Sequence, residues 1–303
     1  MPVSKIKPPL LKPGDEVAIV SPAFAIDEPA VESSVSILES WGLKVRQGRH
    51  ILKRDGPFAG TDRQRLSDLQ KATSDTRIKA VFCSRGGYGL IRIIDKVDFS
   101  ALRRHPRWYV GYSDVTVLHA WLSERYGIIS LHGEMPLNYS NPSKKPESLE
   151  TLRKALFEGC GAVEWEGPAM RKRSVAGEIT GGNLSLLYSL AGTPGEPQTD
   201  GKILFIEEVG EYYYHLDRML SSLKLAGKFR GLKALVVGGM NDMADSRVPW
   251  GRDARETISD IFREYDYPVF FDFPAGHVPD NRAFYIGAMA EIQCSGKKSK
   301  LTF

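Results

Sequence analysis

Apolar residues in the first half of the chain gather in short compact runs. These alternate with longer stretches whose apolar positions recur every three to four residues. After the turn Pro13-Gly14-Asp15, the run 16–20 (EVAIV) predicts a buried strand. Residues 28–41 carry Val31, Val35, Ile37, Leu38 and Trp41 at helical spacing and end at Gly42, a C-cap residue. A second strand is expected at 43–45. Thr61 or Asp62 then caps a helix to about residue 72. The run 78–83 predicts a third buried strand, and a short helix carries Leu90, Ile91, Ile93 and Ile94. Residues 108–110 form another strand. They lead directly into a helix whose inner face holds Val115, Val117, Leu118, Ala120, Trp121 and Leu122, and 127–131 is a further strand. Near-continuously apolar strands separated by helices predict a parallel sheet covered on both faces.

The second half is built from shorter segments. Residues 138–147 are polar and contain Pro142 and Pro146. Together with a helix at 148–156 they read as a passage between two domains, 1–140 and 141–303. Strands are expected at 161–166, 174–179, 203–206, 232–238 and 269–271. Helices are expected from Thr180-Gly-Gly-Asn-Leu184, over 215–225 and over 252–265, and a β ending follows from 285 onward. The second domain is therefore mixed α/β.

The chain has 303 residues, 42% hydrophobic and 26% charged, the composition of a globular protein. A net charge of +4 with scattered Lys and Arg argues against a nucleic-acid partner, and Arg171-Lys-Arg173 and Lys297-Lys-Ser-Lys300 read as solvated surface. The start, 1–13, is polar and proline-containing, and nowhere is there a run of about 18 apolar residues. No membrane association and a cytoplasmic location are expected. Cys83, Cys160 and Cys294 are far apart and lack C-x-x-C spacing, which argues against a disulfide framework or a zinc site.

The tightest chemical signal is Gly111-Tyr112-Ser113-Asp114, set between a strand and a helix with no room for a loop. Such a turn exposes a serine hydroxyl at the carboxyl end of a sheet, as in a nucleophile elbow, although Val115 stands where the G-x-S-x-G pattern has glycine. The simpler alternative is that Ser113 caps the helix. A serine nucleophile needs a base, an orienting carboxylate and oxyanion donors. His277, in a glycine-flanked loop after the strand 269–271, and His132, after the strand 127–131, are both placed to be the base. His119 faces elsewhere by helical rotation, and His50, His105 and His215 read as surface residues. Glu207 and Glu208 follow the run 203–206. Either could orient the base, and Glu208 reads more simply as a solvated loop or N-cap carboxylate. Gly86 and Gly87 follow a buried strand, so a backbone N–H there and that of Asp114 could bind an oxyanion. A phosphate cradle is the alternative, without Walker or G-x-G-x-x-G spacing to support it.

Taken in order, Pro13-Gly14-Asp15 with Ser21-Pro22, Ser84-Arg-Gly-Gly-Tyr-Gly89, Gly111-Tyr-Ser-Asp114, His132-Gly133, Gly181-Gly-Asn183, Ile206-Glu-Glu-Val209, Asp217-Arg218 and Gly276-His277 span nearly the whole chain. This ordered set resembles the LD-carboxypeptidase family of serine peptidases, which also contains the microcin C immunity peptidases. The resemblance implies an N-terminal flavodoxin-like (glutamine-amidotransferase-like) parallel sheet and a C-terminal swivelling β/α domain. It implies a Ser113–Glu207–His277 triad shared between the two domains, with oxyanion donors from Gly86, Gly87 and Asp114. It also implies a homodimer, no metal or other cofactor, and a small peptide substrate: a murein tetrapeptide losing its terminal D-alanine in cell-wall recycling, or a peptidyl-nucleotide in the immunity branch. Tyr212-Tyr-Tyr214 and Trp250 could stack a nucleobase or pack at an interface. A carboxypeptidase must hold a free carboxylate; Arg85 could do so, or could make a salt bridge at the loop base.

Overall fold

The computed structural model describes residues 4–303; the first three residues of the polar start lie outside the described residues. The strands in chain order are β1 (Glu16–Val20), β2 (Lys44–Gln47), β3 (Ile78–Cys83), β4 (Trp108–Gly111), β5 (Ser130–His132), β6 (Val163–Glu166), β7 (Ala169–Met170), β8 (Val175–Asn183), β9 (Ile203–Val209), β10 (Ala234–Asn241), β11 (Val269–Phe270), β12 (Phe284–Ile286), β13 (Met289–Ser295) and β14 (Lys298–Thr302). The α-helices are α1 (Glu28–Ser40), α2 (Asp62–Ser74), α3 (Thr116–Trp121), α4 (Pro146–Phe157), α5 (Leu184–Ser189), α6 (Tyr213–Leu225) and α7 (Ala254–Phe262).

The chain forms two compact units. One is the chain up to Gly161 with Pro279–Ala288; the other is Ala162–Val278 with Met289–Phe303. This division differs from the boundary expected at 140/141. Helix α4 packs Leu152, Ala155 and Leu156 into the first core, and the Tyr285 hydroxyl of β12 donates to Ala155 O at 2.6 Å. The polar passage thus lies inside the first unit, and ten residues from near the chain's end return to complete it.

The first unit's sheet has the order β12-β5-β4-β3-β1-β2. All neighbours are parallel except β12, which runs antiparallel to β5 with Phe284 opposite His132. The order 2-1-3-4-5 is that of flavodoxin-like doubly wound sheets, which place their chemistry beyond the strand carboxyl ends. Burial on both faces explains the largely apolar runs of β1 and β3, in which the half-buried Glu16 and the exposed Lys79 are the polar positions. Helix α2 starts at a capping box, Thr61 with Gln64.

The second unit's sheet has the order β6-β14-β13-β8-β9-β10-β11-β7. Its middle, β8-β9-β10-β11, is parallel; β13, β14, β6 and β7 are antiparallel additions. Helices α5, α6 and α7 cover it around Leu187, Leu216, Leu220, Phe229, Ile258 and Phe262. No helix of the described residues is long and apolar enough to cross a membrane.

Several expected elements shift. The helix expected at 90–94 is two 3₁₀ turns, Leu90–Arg92 and Ile94–Lys96. Residues 180–183 end strand β8 rather than beginning a helix; Asn183 instead caps α5, its side chain accepting from Leu186 N. Glu207 and Glu208 lie inside β9, not after it.

Candidate active site

In the first unit, β4 ends at Gly111 and a single 3₁₀ turn, Ser113–Val115, leads into α3. Ser113 has φ 63°, the left-handed region that costs a β-carbon-bearing residue about 1–2 kcal/mol. Neither the turn nor α3 is capped by a side chain, so Ser113 is not the helix cap that was the simpler reading. The departure from G-x-S-x-G has a local cause. A Cβ on Gly111 would sit 2.7 Å from Val115 Cγ2, so here the first glycine makes room for valine at the last position. Helix α3 is buried all round, not on one face only. His119 lies within it, 2.9 Å from Gly111 O through Nε2 and 2.8 Å from Ser130 Oγ through Nδ1. Burial pulls its pKa down to about 4, so the ring is neutral and braces the strand before the turn.

The glycine loop lies against this turn. A Cβ on Gly86 would fall 2.8 Å from both Cβ and Oγ of Ser113 and 3.4 Å from Asp114 N. Gly87 has φ 102°, and a Cβ there would strike the Phe24 ring at 2.3 Å. The loop is tied to its surroundings by Ser84 Oγ with Ser21 Oγ at 2.6 Å and by Phe24 N donating to Gly86 O at 3.3 Å. Arg85 donates from Nη1 to Ala25 O at 2.9 Å and lies over the Phe24 ring. Among the described residues no carboxylate pairs with it, so the salt bridge considered for it is absent. Asp114 is fully buried, and its Oδ2 accepts from Leu90 N at 2.9 Å. Burial raises its carboxyl to about 7, against the backbone hydrogen bonding that lowers it.

In the second unit, Glu207 projects from β9 with no solvent exposure, and its Oε2 accepts from His277 Nδ1 at 2.7 Å and from His277 N at 3.2 Å. Gly276 makes this approach feasible. It has φ 101°, and a Cβ there would sit 2.6 Å from Glu207 Oε2. Glu208 points to the other face of the strand, as alternation requires. It is not solvated: buried, it accepts from Asn183 Nδ2 at 2.8 Å and from Ser185 N at 2.7 Å in the first turn of α5. Gly181 fits because a Cβ would lie 1.9 Å from Phe205 O on the neighbouring strand.

The other histidines are placed differently. His132 is buried, its ring stacked on Phe284 and its Nε2 3.2 Å from the Asn281 amide oxygen. His50 and His215 are not plain surface residues. Nδ1 of each meets a carboxylate, Asp68 at 2.8 Å and Glu211 at 2.5 Å. Sequence reasoning missed the His50–Asp68 pair because its members lie 18 residues apart in different elements. It also missed the Asp114 side chain, whose only signal was an acid within an otherwise apolar turn. Tyr212 and Tyr214 are exposed and stacked on each other at the start of α6. Among the described residues no group of three or more His, Cys, Asp or Glu could hold a metal ion.

Comparison with known proteins agrees with both halves of this description. Residues 17–133 match the LD-carboxypeptidase N-terminal domain, and residues 176–292 match the LD-carboxypeptidase C-terminal domain. The probable murein peptide carboxypeptidase of Bacillus subtilis (strain 168) is 34% identical over 302 residues, covering 96% of this chain and 92% of that protein. Among solved structures, muramoyltetrapeptide carboxypeptidase from Oxalobacter formigenes is 28% identical with a TM-score of 0.85, covering 94% of this chain and 98% of that one. The microcin C7 self immunity protein MccF, solved with aspartyl sulfamoyl adenosine, shares the fold at 21% identity and a TM-score of 0.87, covering 100% of this chain and 98% of that one. The chain belongs to the LD-carboxypeptidase family of serine peptidases.

Proposed function

We propose that the protein is a carboxypeptidase whose nucleophile is Ser113, whose general base is His277 and whose orienting carboxylate is Glu207. Gly86 or Gly87 and Asp114 supply the oxyanion donors. The observation that carries a serine mechanism is the left-handed backbone of Ser113 at a strand-to-helix turn with Gly86 beside it. Strain of this kind persists where surrounding structure enforces it, as at nucleophile elbows. The choice of His277 over His132 is supported by its carboxylate partner. Glu207 holds Nδ1–H, which leaves Nε2 as the acceptor tautomer. Nε2 of His132 faces the Asn281 amide oxygen.

In the proposed reaction His277 Nε2 takes the Ser113 proton as the oxygen attacks the peptide carbonyl. Glu207 stabilises the imidazolium that forms, and backbone N–H groups hold the oxyanion. His277 then protonates the leaving amine. Water, activated by the same imidazole, attacks the acyl-enzyme ester, releasing the acid and restoring Ser113. The names of the Bacillus and Oxalobacter proteins support a murein peptide as substrate, with an L,D-peptide bond cleaved and terminal D-alanine released. Incubation with murein tetrapeptide and mass spectrometry tests this. Loss of one alanine is expected from the wild type and not from Ser113→Ala; an unchanged tetrapeptide would sink the substrate assignment. The exposed Tyr212–Tyr214 stack favours a peptidyl-nucleotide as the second reading, tested by offering such a substrate in the same assay. A homodimer and a reducing, cytoplasmic compartment complete the proposal. The free thiols of Cys83, Cys160 and Cys294 support the compartment, and light scattering tests the dimer.

A further inference from the structure

The Asp114 carboxylate has a place in the fold that the proposed triad does not use. It is fully buried, sits one residue after the nucleophile, and accepts through Oδ2 from the backbone N–H of Leu90 at 2.9 Å. That amide closes the far end of the same loop whose near end brings Gly86 against Ser113. The near end is held to the segment after β1 through Ser21, Phe24 and Ala25, away from the turn. Asp114 joins the loop to the turn directly. Its own N–H is one of the proposed oxyanion donors, and its side chain fixes the segment that carries the other, so both donors are referred to a single residue.

We propose that the Asp114 side chain is a positioning residue: it locks the 84–90 loop onto the Ser113 turn and so sets the distance between the two oxyanion donors. This rests on the serine mechanism proposed above. Burying a carboxyl is costly, and burial raises this one despite the Leu90 N–H bond. A buried acid that ties together the two segments carrying the proposed oxyanion donors fits a role in positioning. Removing it leaves the Leu90 amide unpaired and frees the loop to drift, and a drift of about 1 Å costs about 100-fold in rate.

The test uses the full-length protein, with active sites counted by a fluorophosphonate that labels Ser113. A peptide boronic acid, which forms a tetrahedral anionic adduct on a serine, reports the oxyanion donors. For Asp114→Ala we expect kcat per labelled site to fall about 100-fold, KM to move less than about threefold, and boronate affinity to fall by about the same factor as kcat. Asp114→Asn, which keeps an oxygen facing Leu90 N, should recover most of both. A purely structural role would lower the labelled fraction and leave boronate affinity per site unchanged; that result, or an Asp114→Asn as impaired as Asp114→Ala, would overturn the proposal. If Asp114→Ala does not fold, Asp114→Thr, close in volume but with its hydroxyl one bond short of the position of Oδ2, decides by the same readouts. A wild type that is neither labelled at Ser113 nor inhibited by the boronate would instead overturn the serine mechanism itself.

Discussion

Gly86→Ala is the smallest change that separates the loop's chemical role from its role in the fold. Gly86 does not have a positive φ, so alanine meets no left-handed penalty there. The whole perturbation is one methyl group, 2.8 Å from both Ser113 Cβ and Ser113 Oγ. Carbon atoms rest about 3.5–4.0 Å apart, so loop and turn must separate by roughly 0.7–1.2 Å. A displacement of about 1 Å at a reacting group costs about 100-fold, or about 2.7 kcal/mol of activation free energy. Overpacking by one methyl costs about 1–3 kcal/mol of stability, which leaves the fold intact. The assay is kcat on murein tetrapeptide beside the rate of fluorophosphonate labelling, with circular dichroism as the control for folding. Both rates should fall together, by about two orders of magnitude. A folded Gly86→Ala with both rates within about threefold of wild type would mean that the loop does not serve the nucleophile, and the oxyanion assignment would go with it.

Other outcomes follow from the same geometry. Gly276→Ala, whose Cβ would meet Glu207 Oε2 at 2.6 Å, should push His277 off its carboxylate; kcat should drop by at least about 100-fold, and normal turnover would show that the pair is not used. Asp114, raised from 3.8 to about 7 by burial, binds its proton more tightly folded than unfolded, so its contribution to stability falls as pH rises from about 4 to 7. The stability of Asp114→Asn relative to wild type, from denaturant melts, should be flat below about pH 4 and then rise by up to the order of 4 kcal/mol by pH 8; a flat difference throughout would show the carboxyl to be unperturbed. His119, lowered to about 4, acts oppositely between about pH 4 and 6.5, destabilising the fold as pH falls, and cancels in that difference. Activity should survive exhaustive chelation, and a chelated enzyme revived by zinc would refute the serine mechanism.

What the sequence revealed follows from how each segment is buried. The strands β1 and β3 have the bounds that their apolar runs predicted, because a parallel strand covered on both faces is apolar nearly throughout, with the exposed Lys79 the exception in β3. Strand β9 continues to Val209, past where its apolar run stops, since Glu207 and Glu208 are buried acids with partners on opposite faces of the sheet. Charge at those positions looked like a loop, and only tertiary hydrogen bonds make it strand. Thr180 to Asn183 read as a helix start, yet Gly181 lets β8 approach Phe205 closely and the segment stays paired with β9. The return of β12 to the first sheet left no signal, because a three-residue strand pairing with β5 from more than 150 residues away has no local pattern. For the same reason a fragment ending near residue 140 would lack α4 and β12 and leave its core uncovered, so it is a poor reagent for testing the first unit alone. The candidate site residues stood out as an ordered set of motifs. Their geometry was not, and the left-handed Ser113, the necessity of Gly276 and the Asp114 tether emerged only in three dimensions.

The central claim, that Ser113 is a nucleophile activated by the Glu207–His277 pair, is tested most directly by identifying the residue that a fluorophosphonate modifies, by peptide mass spectrometry, and timing the reaction in three proteins. The account predicts an adduct on Ser113 in the wild type, labelling slowed by about a thousandfold or more in His277→Ala, and labelling near the wild-type rate in His132→Ala. An adduct on another residue, or fast labelling in His277→Ala with none in His132→Ala, would contradict it.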